Sequence, residues 1–118
     1  MKIFINCGYE VMQEEVIQKF KALSGDCRLS LLLTLLESNR PLCVNELVAR
    51  LGVSQTRVSR NVHILKYSGL LEAERQGIKV FYDLNRSDRT SLALFEFLAK
   101  TFQIPYTGEE FHYSRGMV

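Results

Sequence analysis

The run Ser54-Gln55-Thr56-Arg57-Val58-Ser59-Arg60-Asn61-Val62-His63-Ile64-Leu65-Lys66 carries the residue types and spacing with the clearest chemistry. Wound as a helix beginning after Ser54, it puts Val58, Val62 and Leu65 at i, i+4 and i+7, a stripe made for burial. Gln55, Thr56, Ser59, Arg60 and His63 turn the other way, and no acidic residue interrupts the helix. All five side chains can hydrogen-bond, and Gln and Arg are the types that make paired bonds to adenine and guanine edges. Arg57 and Lys66 at the flanks, with Ser54 at the helix start, suit phosphates, which position a helix without reading sequence. Further along, Arg75 and Lys79 flank Gly77 and would reach backbone phosphates or a minor groove. Glu72 and Glu74 sit further back and do not help such binding. The plain alternative is a solvated polar helix.

Cys7, Cys27 and Cys43 are the other reactive groups. With no secretory signal in MKIFINCGYE, they are expected as reduced thiols in a cytosol, and an odd count argues against a disulfide framework. Asn85-Arg86-Ser87 fits a glycosylation acceptor by chance in such a compartment. His63 and His112 are too scattered for a closed zinc site, so zinc is disfavoured. Catalysis finds no support. Glu14-Glu15 and Glu109-Glu110 are sequential and do not face each other on a helix, and no phosphate loop, metal-protease helix or nucleophile elbow is present.

The 118 residues suit one domain, 1–118, with an N-terminal arm at 1–9 and a C-terminal tail at 103–118. A hydrophobic share of 47% is ample for a packed core, and the longest apolar stretch, Leu29 to Leu36, is too short to span a bilayer. The net charge of +2 announces no nucleic-acid partner, but charge is unevenly placed. From Ser38 to Leu71, Arg40, Arg50, Arg57, Arg60 and Lys66 face Glu46 alone, a local balance of +4.

The elements that must position these groups follow from periodicity and punctuation. A helix starts near Glu10, with Val16, Ile17, Phe20 and Leu23 on one face, and ends at Ser24-Gly25. Asp26 is expected to cap a second helix to about Ser38, leucine-rich around most of its circumference and therefore central. Asn39-Arg40-Pro41 breaks it. A short helix from about Asn45 to Leu51 stops at Gly52, and Ser54 caps the next, which ends at Gly69. Two β-rich runs, Leu70 to Arg75 and Ile78 to Leu84, flank Gln76-Gly77 as a hairpin. A last helix, about Asp88 to Phe102, carries Leu92, Leu94, Phe95, Phe97, Leu98 and Phe102 before Pro105. The order ααααββα, mainly α with a small hairpin wing, is that of a winged helix-turn-helix. Surplus apolar surface on Phe20, Leu94, Phe95, Leu98 and Phe102 predicts a homodimer through the first and last helices.

In these segments the sequence resembles the ArsR/SmtB family of bacterial and archaeal repressors. Phe20-Lys21-Ala22-Leu23-Ser24 with Arg28-Leu29 resembles the family's entry into its second helix, and Leu42-Cys43-Val44-Asn45-Glu46-Leu47 its metal box. Leu51 to Arg60 resembles its turn and recognition helix, and Leu65 to Leu71 with Gly77 to Leu84 its wing. Asn61 and His63 depart from the residue types common there, which leaves the operator sequence open. The resemblance implies a homodimer that represses transcription from double-stranded operator DNA near its own promoter, released by an inducer. Arsenite-sensing members carry cysteines at the positions of both Cys43 and Asn45, and this chain keeps only the first. As(III) or Sb(III) would need Cys7 or Cys27 beside Cys43, and a thiol-redox switch would use the same thiols. The alternative is a winged helix used for protein–protein contact without inducer sensing.

Overall fold

The computed structural model describes residues 7–106, with side chains from residue 13 onward. Five helices and a small sheet alternate as α1 (Cys7–Leu23), α2 (Asp26–Ser38), β1 (Leu42–Cys43), α3 (Val44–Leu51), α4 (Gln55–Tyr67), β2 (Leu71–Gln76), β3 (Lys79–Leu84) and α5 (Arg89–Phe102). The order of helices and hairpin is the expected one. Residues 7–9 of the expected N-terminal arm are helical, whereas 107–118 of the expected tail lie outside the described residues.

Helix α2 is the hub. Leu31, Leu32 and Leu35 are fully buried and Leu36 nearly so, because α1, α3, α4, α5 and β3 all pack on it. Its start corrects one expectation: Gly25 is the cap residue, and Asp26 is the first residue inside the helix. The Asp26 carboxylate accepts a 2.6 Å bond from the Cys27 N–H, where negative charge meets the positive end of the helix. Asn39 ends α2 in the left-handed conformation, φ 60°, with its N–H on the Leu35 carbonyl.

The sheet has the order β1-β3-β2, all antiparallel, with Leu42 opposite Tyr82 and Cys43 opposite Phe81. Two residues show no alternation in sequence, so β1 is visible only through its pairing. In the hairpin Gln76 pairs with Lys79, so the turn is Gly77-Ile78 rather than Gln76-Gly77, and Ile78 leaves the strand. Gly77 adopts φ +68° at the first turn position, the geometry that matches the twist of the flanking strands.

At the other end of the sheet, Asp88 caps α5 by accepting from the Ser91 N–H at 3.2 Å. Lys19 of α1, only 4% exposed, sets its ammonium 3.2 Å from the same carboxylate. Burial pushes the Asp88 carboxyl up, but the bonds from Ser91 and Lys19 outweigh it and hold the group below its ordinary value. Gln103, φ 56°, caps the end of α5 two residues before Pro105. Among the described residues no helix is long and apolar enough to cross a membrane.

Candidate nucleic-acid interface

Helices α3 and α4 meet at Gly52-Val53-Ser54. Gly52 closes α3 at φ +70°, a conformation a side chain would strain, and its N–H reaches the Val48 carbonyl at 2.8 Å. Ser54 Oγ accepts the Arg57 N–H at 3.2 Å and so opens α4 as its cap. Val58, Val62 and Leu65 are fully buried. Their inward pull presents Gln55, Thr56, Arg60, His63 and Lys66 to solvent, with Ser59 half-buried at the edge.

Arg57 leans toward Asp26, 3.8 Å away, across a pair in which the carboxylate is 96% exposed. So loose a contact costs little to exchange for a phosphate. Two residues of α4 outside that five-residue face take on definite roles in the fold. Asn61 does not join the outer face: it is 8% exposed, donates to the Arg57 carbonyl at 2.8 Å and accepts from Arg28 Nη1 at 2.9 Å. Arg28 Nε donates in turn to the Ala22 carbonyl at 2.6 Å, so Asn61 ties α4 to α2 and to the end of α1. Tyr67, 96% exposed, continues the outward line of Thr56, Arg60 and His63 at i, i+4, i+7 and i+11. The spacing places Tyr67 in this line, next to the Ser68-Gly69 that ends the helix.

In the wing, Arg75 lies opposite Val80 and Gln76 opposite Lys79, with Arg75 and Lys79 both exposed. Lys79 and the turn residue Ile78 share a groove of about 250 Å³ with Gln55, so the wing tip flanks the start of α4.

Cys43 lines the same groove but is only 7% exposed. It caps α3, and its N–H donates to Glu46 Oε1 at 3.0 Å. Burial raises the Glu46 carboxyl, but that bond and Arg40 at 3.2 Å prevail and hold it below its usual value. Cys27, half-buried, lines a different groove with Asp26, Ser30, Leu51, Val53 and Arg57. The two thiols therefore do not share a cleft. The Cys7 side chain lies outside the described residues, as does His112. Among the described residues no three His, Cys, Asp or Glu side chains come together as a metal site.

The surplus apolar surface is also redistributed. Phe95 is fully buried and Leu98 is 6% exposed, so both belong to the protomer's own core, and Leu94 packs partly against it. Phe97 and Phe102 of α5, with Ile17 and Phe20 of α1, remain exposed at 62%, 47%, 41% and 56%.

A three-helix core whose second and third helices flank a tight turn, followed directly by a β-ribbon, defines a winged helix-turn-helix protein. Residues 27–73 match the family profile described as bacterial regulatory protein, arsR family. The chain is 32% identical over 83 residues to the biofilm growth-associated repressor of Xylella fastidiosa, covering 70% of this chain and 71% of that one. It is 44% identical over 64 residues to the HTH-type transcriptional repressor SmtB of Mycobacterium tuberculosis, 54% of this chain and 46% of the relative. To the arsenical resistance operon repressor of Escherichia coli it is 42% identical over 69 residues, 58% of each. The chain thus spans about half the length of these last two relatives. HlyU from Vibrio cholerae superposes with a TM-score of 0.70 at 29% identity, over 80% of this chain and 98% of that one. The homodimeric winged helix-turn-helix DNA-binding domain Mb0332 of Mycobacterium bovis, 24% identical, shares the fold with a TM-score of 0.69 over 86% of this chain and 91% of that one. The chain belongs to the arsR family of bacterial regulatory proteins. That family is one of transcriptional regulators, not of enzymes.

Proposed function

We propose that this protein is a homodimeric cytosolic repressor that binds double-stranded operator DNA through α4 and the wing and releases it on an inducer signal. The observation that carries the reading is the outer face of α4, acid-free, with Gln55, Thr56, Arg60, His63 and Lys66 exposed and Ser59 at its edge. Gln55, Thr56, Ser59, Arg60 and His63 face base edges, while Ser54, Arg57, Lys66, Arg75 and Lys79 serve phosphates. The repressors among its relatives and the homodimeric mycobacterial domain support the same assignment.

Cys43 is the point at which an inducer would act, because it caps the helix that precedes α4 and pairs with β3 of the wing. A bond formed there displaces both reading elements together. As(III) or Sb(III), supported by the Escherichia coli relative, and thiol oxidation are the two chemistries this thiol offers. As(III) would have to recruit Cys7, since Cys27 lies in a separate cleft.

Gel-shift titration on the protein's own promoter tests the reading. Arg60→Ala should lower affinity and relax discrimination at one base pair per half-site, by about 1–3 kcal/mol. Lys79→Ala should weaken all sequences alike and flatten the salt dependence. Cys43→Ser should bind normally yet no longer release on arsenite or peroxide. If Arg60→Ala and Lys79→Ala both keep wild-type affinity and salt slope, operator reading by α4 is wrong and a protein–protein interaction module takes its place.

A further inference from the structure

Ile78 stands at the tip of the β2–β3 hairpin, 94% exposed. Two-residue turns are ordinarily completed by Gly, Asn, Asp or Ser, and an aliphatic side chain this exposed contributes nothing to folding. Its surroundings are specific. Arg75, Gln76 and Lys79 are all exposed about it, and the first acid met along the hairpin, Glu74, sits further down the strand opposite Phe81. Ile78 and Lys79 line one groove with Gln55, the first residue of α4, so the tip is offered beside the reading helix.

We propose that Ile78 is an apolar probe of the DNA minor groove, steered there by Arg75 and Lys79, and that it adds sequence discrimination to the wing. This rests on the operator-binding reading above. A groove roughly 6 Å wide excludes a strand pair but admits one side chain at a hairpin tip. Guanine projects its N2 amino group into that groove as a donor. Covered by an aliphatic side chain, that donor loses water and gains no acceptor, which is costly. A·T pairs carry no such group. Apolar side chains that enter the minor groove also partly unstack the bases, which is easiest at flexible TA steps. Ile78 therefore selects pairs without that amino group, A·T above G·C, where the wing lands outside each major-groove half-site.

The test uses duplexes selected from a random-sequence pool by the full-length wild-type protein. The flanking positions are then rebuilt as A·T, G·C or inosine·C. Inosine keeps guanine's major-groove edge and lacks only the N2 amino group. Wild-type protein is expected to bind A·T and inosine·C duplexes alike and the G·C duplex several-fold more weakly. Ile78→Ser should lose roughly tenfold on the A·T duplex, treat all three alike and keep its salt slope. Lys79→Ala should keep the discrimination and flatten the salt slope. If Ile78→Ser matches wild type in affinity and in its inosine·C to G·C ratio, the minor-groove contact is overturned while operator binding stands. Wild-type protein that enriches no sequence overturns operator binding and this contact together. Loss of self-association in Ile78→Ser would place Ile78 against a second copy and equally overturn the proposal.

Discussion

Asn61 shows how one side chain of α4 fixes the helix in place from its inner side. Its amide donates backward to the Arg57 carbonyl and accepts from Arg28, whose guanidinium also holds the Ala22 carbonyl. Alanine at this position would leave a part-buried guanidinium N–H with one partner fewer and free α4 to tilt. Asn61→Ala should therefore destabilise the fold by about 1–3 kcal/mol, read as a lowered urea midpoint. It should also weaken operator binding uniformly, since the whole helix is displaced. A variant of unchanged stability with altered base preference would instead put Asn61 on the DNA. Cys43 poses the same distinction in another form. It is a cap and a strand residue before it is a thiol, so only a change of inducer response, and not of basal binding, separates sensor from structure.

Between elements, one carboxylate joins α1 and α5 next to the end of α4. Lys19 crosses from α1 past Gly69, at the end of α4, to Asp88 at the start of α5. Ser91 Oγ lies 2.7 Å from Asp88 Oδ2 and 3.2 Å from the Gly69 carbonyl, which Asn85 also holds at 2.9 Å. The native Asp88 carboxyl is held below its unfolded value. Its stabilising contribution is therefore complete above the unfolded pKa, about 3.9, and lost as the pH falls through the lower native value. Glu46, depressed by the Cys43 N–H and Arg40 despite its burial, acts in the same direction. Asp88→Asn should be less stable than wild type at pH 7, and the gap should close on acidification below pH ~4. Thermal melts across that range measure it, and a gap independent of pH would show that the carboxylate's charge is not what matters.

For the whole molecule, the dimer prediction rests on the exposed pairs Ile17–Phe20 and Phe97–Phe102. Apolar side chains this open on α1 and α5 are covered best by the same surface of a second copy, and two half-sites at fixed separation need two reading helices. Sedimentation should find twice the 13.6 kDa chain mass at micromolar concentration. The double variant Phe20→Glu, Phe97→Glu should sediment as a monomer and lose operator affinity by far more than either half-site contact alone. A wild-type species of 13.6 kDa would remove the dimer.

What the sequence by itself determined is what short-range geometry encodes. Ser54 caps α4 because its hydroxyl reaches the N–H three residues on, Gly52 and Gly77 mark backbone that only glycine adopts freely, and Val58, Val62 and Leu65 recur at the helical repeat. Element order, the outward polar face of α4 and the exposed cations of the hairpin follow from these local relations. The tertiary structure decided what a repeat leaves open. Phe95 and Phe97 are both apolar, and only the packing of α5 on α2 sends the first inward and the second out. β1 exists through its pairing with β3, Asn61 turns inward through Arg28, and Lys19 is buried through Asp88. Each depends on a partner far along the chain, whose approach no local pattern records.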